Sequence, residues 1–141
     1  MSPDNTQGAA PVKKVLIVDD EPDIVSYLEM ILQDNGFTTV SAADGNEALE
    51  LMRSERPDLV TLDISMPEAS GTRFYKEVRT DPELKEIPVF IVTGVTGLGG
   101  DEHAYEKFIS GRRLVPAPEG FFHKPIDREA FVKAVKELLG G

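Results

Sequence analysis

The sequence predicts an α/β protein built on a doubly wound, five-stranded parallel sheet with helices on both faces. Three observations support this fold class. The apolar runs at 15–18, 59–62 and 87–92 do not alternate with polar residues, which is typical of strands buried on both faces. Amphipathic segments separate these runs, so that five predicted strands alternate with five predicted helices. This alternation favours parallel strands, because right-handed crossovers leave few other topologies.

The first two strands flank a helix. Lys13–Val18 is the first strand, and Pro22 suits the first turn of a helix capped by one of the acidic residues just before it. Apolar residues at helical spacing give this helix an inward face: Ile24, Leu28, Ile31 and Leu32. Gly36 ends the helix, and Phe37–Ala42 is a weaker second strand because threonine and serine interrupt it.

Two further helices surround the third strand. Asp44 caps a helix that the segment 55–57 closes, with Ala48, Leu51 and Met52 facing inward. A third strand over 59–63 ends abruptly in a carboxylate. A loop then runs to Gly71, and a helix occupies the region Phe74–Arg79.

The remaining segments alternate in the same way. Ile87–Thr93 is a fourth strand and Gly120–His123 a short fifth strand. Between them we predict a glycine-rich turn over 94–100, a short helix over 101–109 and a loop over 110–120. Asp127 caps a final helix whose inward residues are Phe131, Val135, Leu138 and Leu139.

Composition restricts the classes of function. The chain has 141 residues, 40% of them apolar, a formal net charge of -10 and no cysteine. This length suits one folded domain over 13–141 behind a flexible tail over 1–12. The acidic excess argues against nucleic-acid binding and favours a basic protein partner or a cation. No stretch reads as a signal peptide or a membrane span, so we expect a cytoplasmic protein without a membrane partner.

Chemically useful side chains follow four of the predicted strands. Asp19 and Asp20 follow the first strand, Asp63 ends the third, Thr93 the fourth, and Lys124 comes directly after the fifth. Ligands of parallel sheets bind at this edge. Carboxylates that meet there repel one another, and a bound cation is the usual remedy. Carboxylate oxygens are the hard ligands that Mg²⁺ prefers, and the sequence therefore predicts a magnesium site.

The same residues suit phosphoryl transfer. A carboxylate such as Asp63 can attack a phosphoryl group and form an acyl phosphate. The hydroxyl of Thr93 and the ammonium of Lys124 can stabilise the transferred oxygens. Each residue alone has an ordinary explanation as a helix cap, a strand end or a surface lysine. Their coincidence at one edge of the sheet favours a site.

The motifs around these residues resemble the response-regulator receiver domain of two-component signalling, which includes the chemotaxis receivers. The resemblance spans 13–139 and is carried by four segments: Asp19–Pro22, Leu62–Pro67, Thr93–Gly94 and Lys124–Pro125. It implies a flavodoxin-like sheet with the strand order 2-1-3-4-5. It also implies a cis bond between Lys124 and Pro125.

The resemblance implies a role for each site residue. Asp63 would be the phosphoacceptor, and Thr93 and Lys124 would each contact a phosphoryl oxygen. The magnesium ligands would be Asp20, Asp63, the backbone carbonyl of Ser65 and, through water, Asp19. Phosphorylation would draw Thr93 inward and vacate space for Phe121, the aromatic residue three positions before the lysine. The family then signals through the face formed by its fourth helix, fifth strand and fifth helix.

By the same resemblance, the phosphoryl group would come from a sensor histidine kinase or a phosphotransfer protein. The switched face would contact a downstream protein or a second copy of the chain. We expect no separate enzymatic activity beyond self-catalysed phosphotransfer and autodephosphorylation.

Two other functions remain open at this stage. The first is a magnesium-dependent phosphohydrolase of the haloacid dehalogenase type. Those enzymes carry an Asp-x-Asp motif after the first strand, whereas here Asp19 and Asp20 are adjacent and the next carboxylate belongs to another strand. The second is a receiver-like module that binds partners without phosphorylation. Loss of an acidic residue or of the lysine would favour it, and this chain keeps both.

Overall fold

The computed structural model describes residues 12–64, 70–94 and 118–140. These residues form five strands and four helices, in the order β1 (Lys14–Val18), α1 (Pro22–Asp34), β2 (Thr38–Ala42), α2 (Gly45–Glu55), β3 (Leu59–Asp63), α3 (Ser70–Thr80), β4 (Val89–Gly94), β5 (Gly120–Lys124) and α4 (Arg128–Leu139). The short helix predicted over 101–109 lies outside the described residues, as does most of the loop predicted over 110–120. Of the turn predicted over 94–100, only Gly94 is described, and it ends β4 instead.

The five strands form one parallel sheet with the order β2-β1-β3-β4-β5, which confirms the predicted 2-1-3-4-5 arrangement. Val18 lies opposite both Ala42 and Leu62, so β1 ends beside β2 and β3. Gly94 at the end of β4 lies opposite Lys124 at the end of β5. The carboxyl ends of the strands therefore meet along a single edge of the sheet.

Each face of the sheet has its own apolar core, which explains the uninterrupted apolar runs in the sequence. Leu16 points to the cluster that includes Met52 of α2 and Phe74 of α3. Its neighbour Ile17 points to the cluster that includes Leu28 of α1 and Phe131 of α4. Successive residues of a strand face opposite sides, so a strand covered on both sides needs apolar residues at every position.

The helix ends follow the sequence signals closely. The Asp44 side chain accepts the N–H of Glu47 at 2.8 Å, and Asp127 accepts the N–H of Ala130 at 3.2 Å, so both aspartates cap helices as predicted. Gly36 has φ +91°, a conformation that side chains disfavour, and it follows the last turn of α1. These local signals fix where the helices start and stop, and hence which residues reach the sheet edge.

Several predicted boundaries need correction. Helix α3 begins at Ser70, so Gly71 lies inside its first turn rather than at the end of a loop. Strand β4 starts two residues later than predicted, at Val89. Leu138 was expected in the core, but it is 39% exposed and lines an open groove together with Gly120 and Phe122 of β5. None of the described helices is both long and apolar enough to cross a membrane.

Candidate functional site

The carboxyl edge of the sheet brings together three of the residues that the sequence singles out. Asp19 follows β1, and Asp63 ends the neighbouring strand β3. Lys124 ends β5. Its ammonium nitrogen lies 2.9 Å from Oδ2 of Asp19 and 3.5 Å from Oδ2 of Asp63. The predicted convergence of these strand ends is therefore confirmed for two carboxylates and one cation.

Both carboxylates are buried, which strengthens every charge interaction between them. The side chains of Asp19 and Asp63 are each 2% exposed, and that of Lys124 is 9% exposed. The lysine also reaches Oε1 of Glu21 at 2.8 Å, on a side chain that is 60% exposed. One ammonium thus lies between two buried carboxylates and one at the surface.

A third aspartate completes an acidic cluster. Asp19, Asp20 and Asp63 each place a carboxylate oxygen within 4.8 Å of the others. Asp20 is exposed, so the cluster opens to solvent on one side. The three oxygens are of the hard type that Mg²⁺ prefers.

One buried oxygen supports the fit to a cation. Oδ2 of Asp19 accepts no hydrogen bond of good geometry from any described residue. Lys124 is its ion-pair partner at 2.9 Å, but the same ammonium also reaches Glu21 at 2.8 Å and Asp63 at 3.5 Å. One ammonium shared among three carboxylates leaves negative charge that a metal ion would offset. The donor set and this oxygen both fit a divalent cation.

The electrostatics show an excess of negative charge. Burial raises the pKa of Asp19 to about 6, with the charge of Asp63 adding to the effect and Lys124 opposing it. Burial alone would lower the pKa of Lys124, but its contacts with Glu21, Asp19 and Asp63 outweigh burial and raise it. Lys124 is therefore protonated, whereas the ionisation of Asp19 carries a substantial free-energy cost.

Local backbone structure fixes the first acidic residue. Oδ1 of Asp19 accepts the backbone N–H of Glu21 at 2.9 Å, which closes a tight turn between β1 and α1. Glu21 is the N-terminal cap residue of α1, yet its own side chain makes no capping hydrogen bond. It turns toward Lys124 instead. The sequence predicts an acidic residue at this cap but not its contact with Lys124.

Gly71 is a second residue whose importance the sequence did not reveal. A Cβ atom at this position would lie 2.7 Å from the backbone carbonyl oxygen of Asp63 and 3.1 Å from the Cα of Ile64. Real side chains essentially never approach so closely, so only glycine allows α3 to pack directly against the end of β3. The available sequence signal for this close packing is the glycine eight positions after Asp63. Its prediction as the end of a loop is wrong.

The structure describes the other predicted site residues only in part. Thr93 lies at the carboxyl end of β4, opposite His123, and its neighbour Val92 lies opposite Asp63. Its backbone thus belongs to the edge that carries the acidic cluster. Ser65 lies outside the described residues. The Lys124–Pro125 bond is cis, as the family resemblance implies.

Phe121 packs against the core on the α2–α3 side of the sheet and is partly buried. Its ring centroid lies 5.1 Å from that of His123, in an edge-to-face arrangement. Phe121, the predicted switch residue, is therefore a partly buried residue of the edge strand β5 whose side chain packs against an apolar core.

Comparison with known proteins agrees with this geometry. The family model described as "Response regulator receiver domain" matches residues 15–136. The chain is similar to the polar-differentiation response regulator DivK of Brucella anthropi, with 35% identity over 128 residues, 91% of this chain and 97% of that protein.

Two solved structures show the same likeness. The chemotaxis response regulator CheY4 of Vibrio cholerae matches 91% of this chain and 99% of its own, with 27% identity and a TM-score of 0.72. The signal receiver domain of a signal transduction histidine kinase from Syntrophus aciditrophicus matches 92% of both chains, with 30% identity and a TM-score of 0.75.

Proposed function

This chain belongs to the response regulator receiver domain family, the phosphoacceptors of two-component signalling, and from that premise we propose that Asp63 is the residue that receives the phosphoryl group. The observation that carries the proposal is the arrangement of Asp63, Asp19 and Lys124. Two buried carboxylates from neighbouring strands face one lysine at the carboxyl edge of the sheet. Such a site combines a nucleophile with groups that neutralise phosphoryl charge.

The transfer is a displacement at phosphorus. A carboxylate oxygen of Asp63 forms a bond to the phosphorus of the donor, and the bond from phosphorus to the leaving atom breaks. The electron pair of that bond stays with the leaving group, an imidazole nitrogen of a phosphohistidine or the acetate of acetyl phosphate. The product is an acyl phosphate on Asp63. Lys124, already 3.5 Å from this carboxylate, is placed to pair with an oxygen of the new phosphoryl group.

We further propose Mg²⁺ as the cation, held by Asp20, Asp63, the backbone carbonyl of Ser65 and, through water, Asp19. The fit of the acidic cluster and the buried oxygen of Asp19 support this choice. When bound, Mg²⁺ spreads the negative charge of the carboxylates and the phosphoryl oxygens. The protein contributes the fixed position of the aspartates, because the N–H of Glu21 holds one of them in place.

Thr93 and Phe121 are the proposed switch residues. The Thr93 hydroxyl would bind a phosphoryl oxygen, and its movement would leave room for the Phe121 ring to turn inward. The core on the α2–α3 face, against which Phe121 already packs, would receive the ring. The affected surface includes β5 and α4, which is the last of the five predicted helices. We propose this surface as the contact face for a downstream protein or a second copy.

The proposed phosphodonor is a sensor histidine kinase or a phosphotransfer protein in the cytoplasm. Receiver domains interact with proteins of these classes. Access to the site is supported by an open groove beside Asp19 and Asp20, lined by small residues such as Ser26, Ser41 and Ala42. The choice of kinase would depend on how well its side chains complement those around this groove.

Intact-mass measurement tests the proposed phosphoacceptor. Wild-type protein incubated with acetyl phosphate and Mg²⁺ should gain a single phosphate, which should disappear when EDTA replaces the metal. The Asp63→Asn variant should gain none. The matched control is Asp58→Asn, which removes a carboxylate at the opposite end of β3 and should leave the adduct intact.

Two outcomes would contradict the proposal. Folded wild-type protein that gains no phosphate from either acetyl phosphate or a phosphorylated histidine kinase would favour the phosphorylation-independent interaction module. Phosphate on Asp63→Asn would place the acceptor elsewhere. The phosphohydrolase alternative gains no support from the geometry, because the buried carboxylates Asp19 and Asp63 come from different strands.

A further inference from the structure

A buried arginine organises the opposite, amino-terminal edge of the sheet. Arg79 lies in the last turn of α3, and its side chain is 2% exposed. It donates to the Tyr75 hydroxyl at 3.1 Å and to the backbone carbonyls of Lys85 and Ile87 at 3.1 and 3.0 Å. A further guanidinium nitrogen forms an ion pair with Glu119. The arginine therefore ties α3 and the α3–β4 connection to the residue that precedes β5.

Glu119 uses the same carboxylate oxygen to extend the strand pairing. Its backbone N–H donates to the carbonyl of Val89 at 2.9 Å, and its Oε1 accepts the N–H of Val89 at 2.8 Å. The regular β4–β5 register begins with the next pair, Phe90 opposite Gly120. Glu119 therefore engages both backbone groups of the first residue of β4, and Arg79 holds the carboxylate that does so.

The strand anchored in this way is the one that carries Lys124. Within the described sheet β5 pairs only with β4, whereas β1, β3 and β4 each have two neighbours. An edge strand has fewer backbone constraints on its register, and a slip of one residue turns every side chain to the opposite face. Such a slip would remove Lys124 from Asp19 and Asp63 and would displace Phe121 as well.

We propose that Arg79 and Glu119 are positioning residues, whose ion pair fixes the register of β5 and thereby holds Lys124 against the acidic site. The inference rests on the proposed function for its catalytic consequence. A long apolar side chain could fill the space of Arg79 without removing a charge from water, which makes stability alone a poor reason for a buried guanidinium here. Its planar donor fork instead fixes the direction in which Glu119 is held.

The test compares Glu119→Ala and Glu119→Gln with the control Glu83→Ala. Glu83 pairs with Arg56 at 3.4 Å on the surface, and both side chains are more than half exposed. Amide hydrogen exchange is measured in β1, β3 and β5. The rate of phosphorylation by acetyl phosphate is measured at saturating Mg²⁺, and the Mg²⁺ dissociation constant separately.

We expect Glu119→Ala to raise exchange in β5 by about tenfold more than in β1 and β3, because local opening of the edge strand would add to the general loss of stability. Phosphorylation should slow by about fivefold or more, with the Mg²⁺ dissociation constant altered by less than about twofold, because the proposed metal ligands end or follow β1 and β3 rather than β5. Glu119→Gln keeps an acceptor for Val89 and should show smaller effects in the same direction. Glu83→Ala should match wild type.

Equal exchange increases in β1, β3 and β5 would overturn the proposal, since the ion pair would then act through global stability. Unchanged exchange in β5 would overturn it as well. Failure of the wild-type protein to accept phosphate would count against the proposed function instead. The exchange comparison would still decide whether the ion pair anchors β5, so the two failures are distinguishable. If Glu119→Ala does not fold, Glu119→Gln carries the same comparison.

Discussion

The two edges of the sheet each bury a basic side chain against carboxylates, but their charge balance differs. At the amino-terminal edge, Arg79 pairs with Glu119 and directs its other donors to a hydroxyl and two backbone carbonyls. At the carboxyl edge, Lys124 lies within ion-pair distance of Asp19, Glu21 and Asp63. The Arg79 network pairs one cation with one carboxylate, whereas the Lys124 network opposes one cation to three carboxylates.

This difference separates a structural network from a reactive one. A balanced, hydrogen-bonded ion pair is held in one arrangement, because any movement leaves a charge buried without a partner. An excess of buried carboxylates is relieved by a proton or by a bound cation, so the free energy of this edge depends on both. We expect the stability contributed by the amino-terminal edge to fall mainly when a contact is lost. The stability contributed by the carboxyl edge should change mainly when its charge changes.

The largest stability effect should come from truncation at the balanced edge. Arg79→Ala removes several directed hydrogen bonds and leaves Glu119 without its cation, and we expect a loss of about 2–4 kcal/mol in the free energy of unfolding. Glu119 is partly exposed, which keeps the loss at the lower end of this range. Urea denaturation in EDTA measures the effect. Arg56→Ala, which breaks an exposed pair, should change stability by less than about 0.5 kcal/mol.

A loss for Arg79→Ala as small as that for Arg56→Ala would remove the contrast between the two edges. It would mean that water replaces the guanidinium without cost, which the buried carbonyl contacts of Arg79 argue against.

The sequence predicts the fold and the carboxyl edge well because both depend on local signals. Continuous apolar runs identify strands covered on both faces, and a parallel sheet places every strand's carboxyl end at the same edge. Recognising their strands therefore places Asp19, Asp63 and Lys124 at one edge, and the strand order that the family resemblance implies makes β1 and β3 neighbours there. The caps at Asp44 and Asp127 depend on hydrogen bonds within three residues, and both predictions are confirmed.

The balanced edge depends instead on contacts between distant parts of the chain. Arg79 and Glu119 are 40 residues apart, and neither lies in a motif that indicates burial. The contact of Glu21 with Lys124 spans 103 residues. The role of Gly71 depends on how closely a helix approaches the carbonyl of Asp63. Such contacts appear only once the strands and helices are packed.

Magnesium should stabilise the protein through the unbalanced edge. At a concentration about 100-fold above the dissociation constant, a ligand that binds only the native state adds about 2.7 kcal/mol. We expect Asp20→Asn to lose most of this gain, because it removes a ligand of the acidic cluster. Asp23→Asn, an exposed aspartate in the first turn of α1, should keep it. Thermal denaturation with and without Mg²⁺ makes the comparison, and equal gains in both variants would argue against the cluster as the metal site.

Removing charge from the same edge should stabilise the metal-free protein. Asp63→Asn abolishes the repulsion between Asp63 and Asp19, while Lys124 keeps its contacts with Asp19 and Glu21. We expect a gain on the order of 1 kcal/mol in EDTA at neutral pH, the scale of one unit of pKa shift. In excess Mg²⁺ the wild type should instead be more stable than Asp63→Asn, since only the wild type retains all the proposed ligands. A variant less stable than wild type in EDTA would show that the contact with Lys124 outweighs the repulsion.

A dependence of stability on pH should come from Asp19. Its pKa is raised from 3.8 to about 6, so between these values the native state binds more protons than the unfolded state. The contribution of Asp19 to stability is therefore fully present below about pH 4, and it declines as the pH rises through about 6 in metal-free protein. Mg²⁺ affinity should change in the opposite sense and weaken below about pH 6, because protons compete for the carboxylate. Urea denaturation and Mg²⁺ titration between pH 4 and 8 measure both trends relative to Asp19→Asn, in which both should flatten. If that variant kept the wild-type profile, another group at this edge would be responsible for the titration, and the acidic excess would not be centred on Asp19.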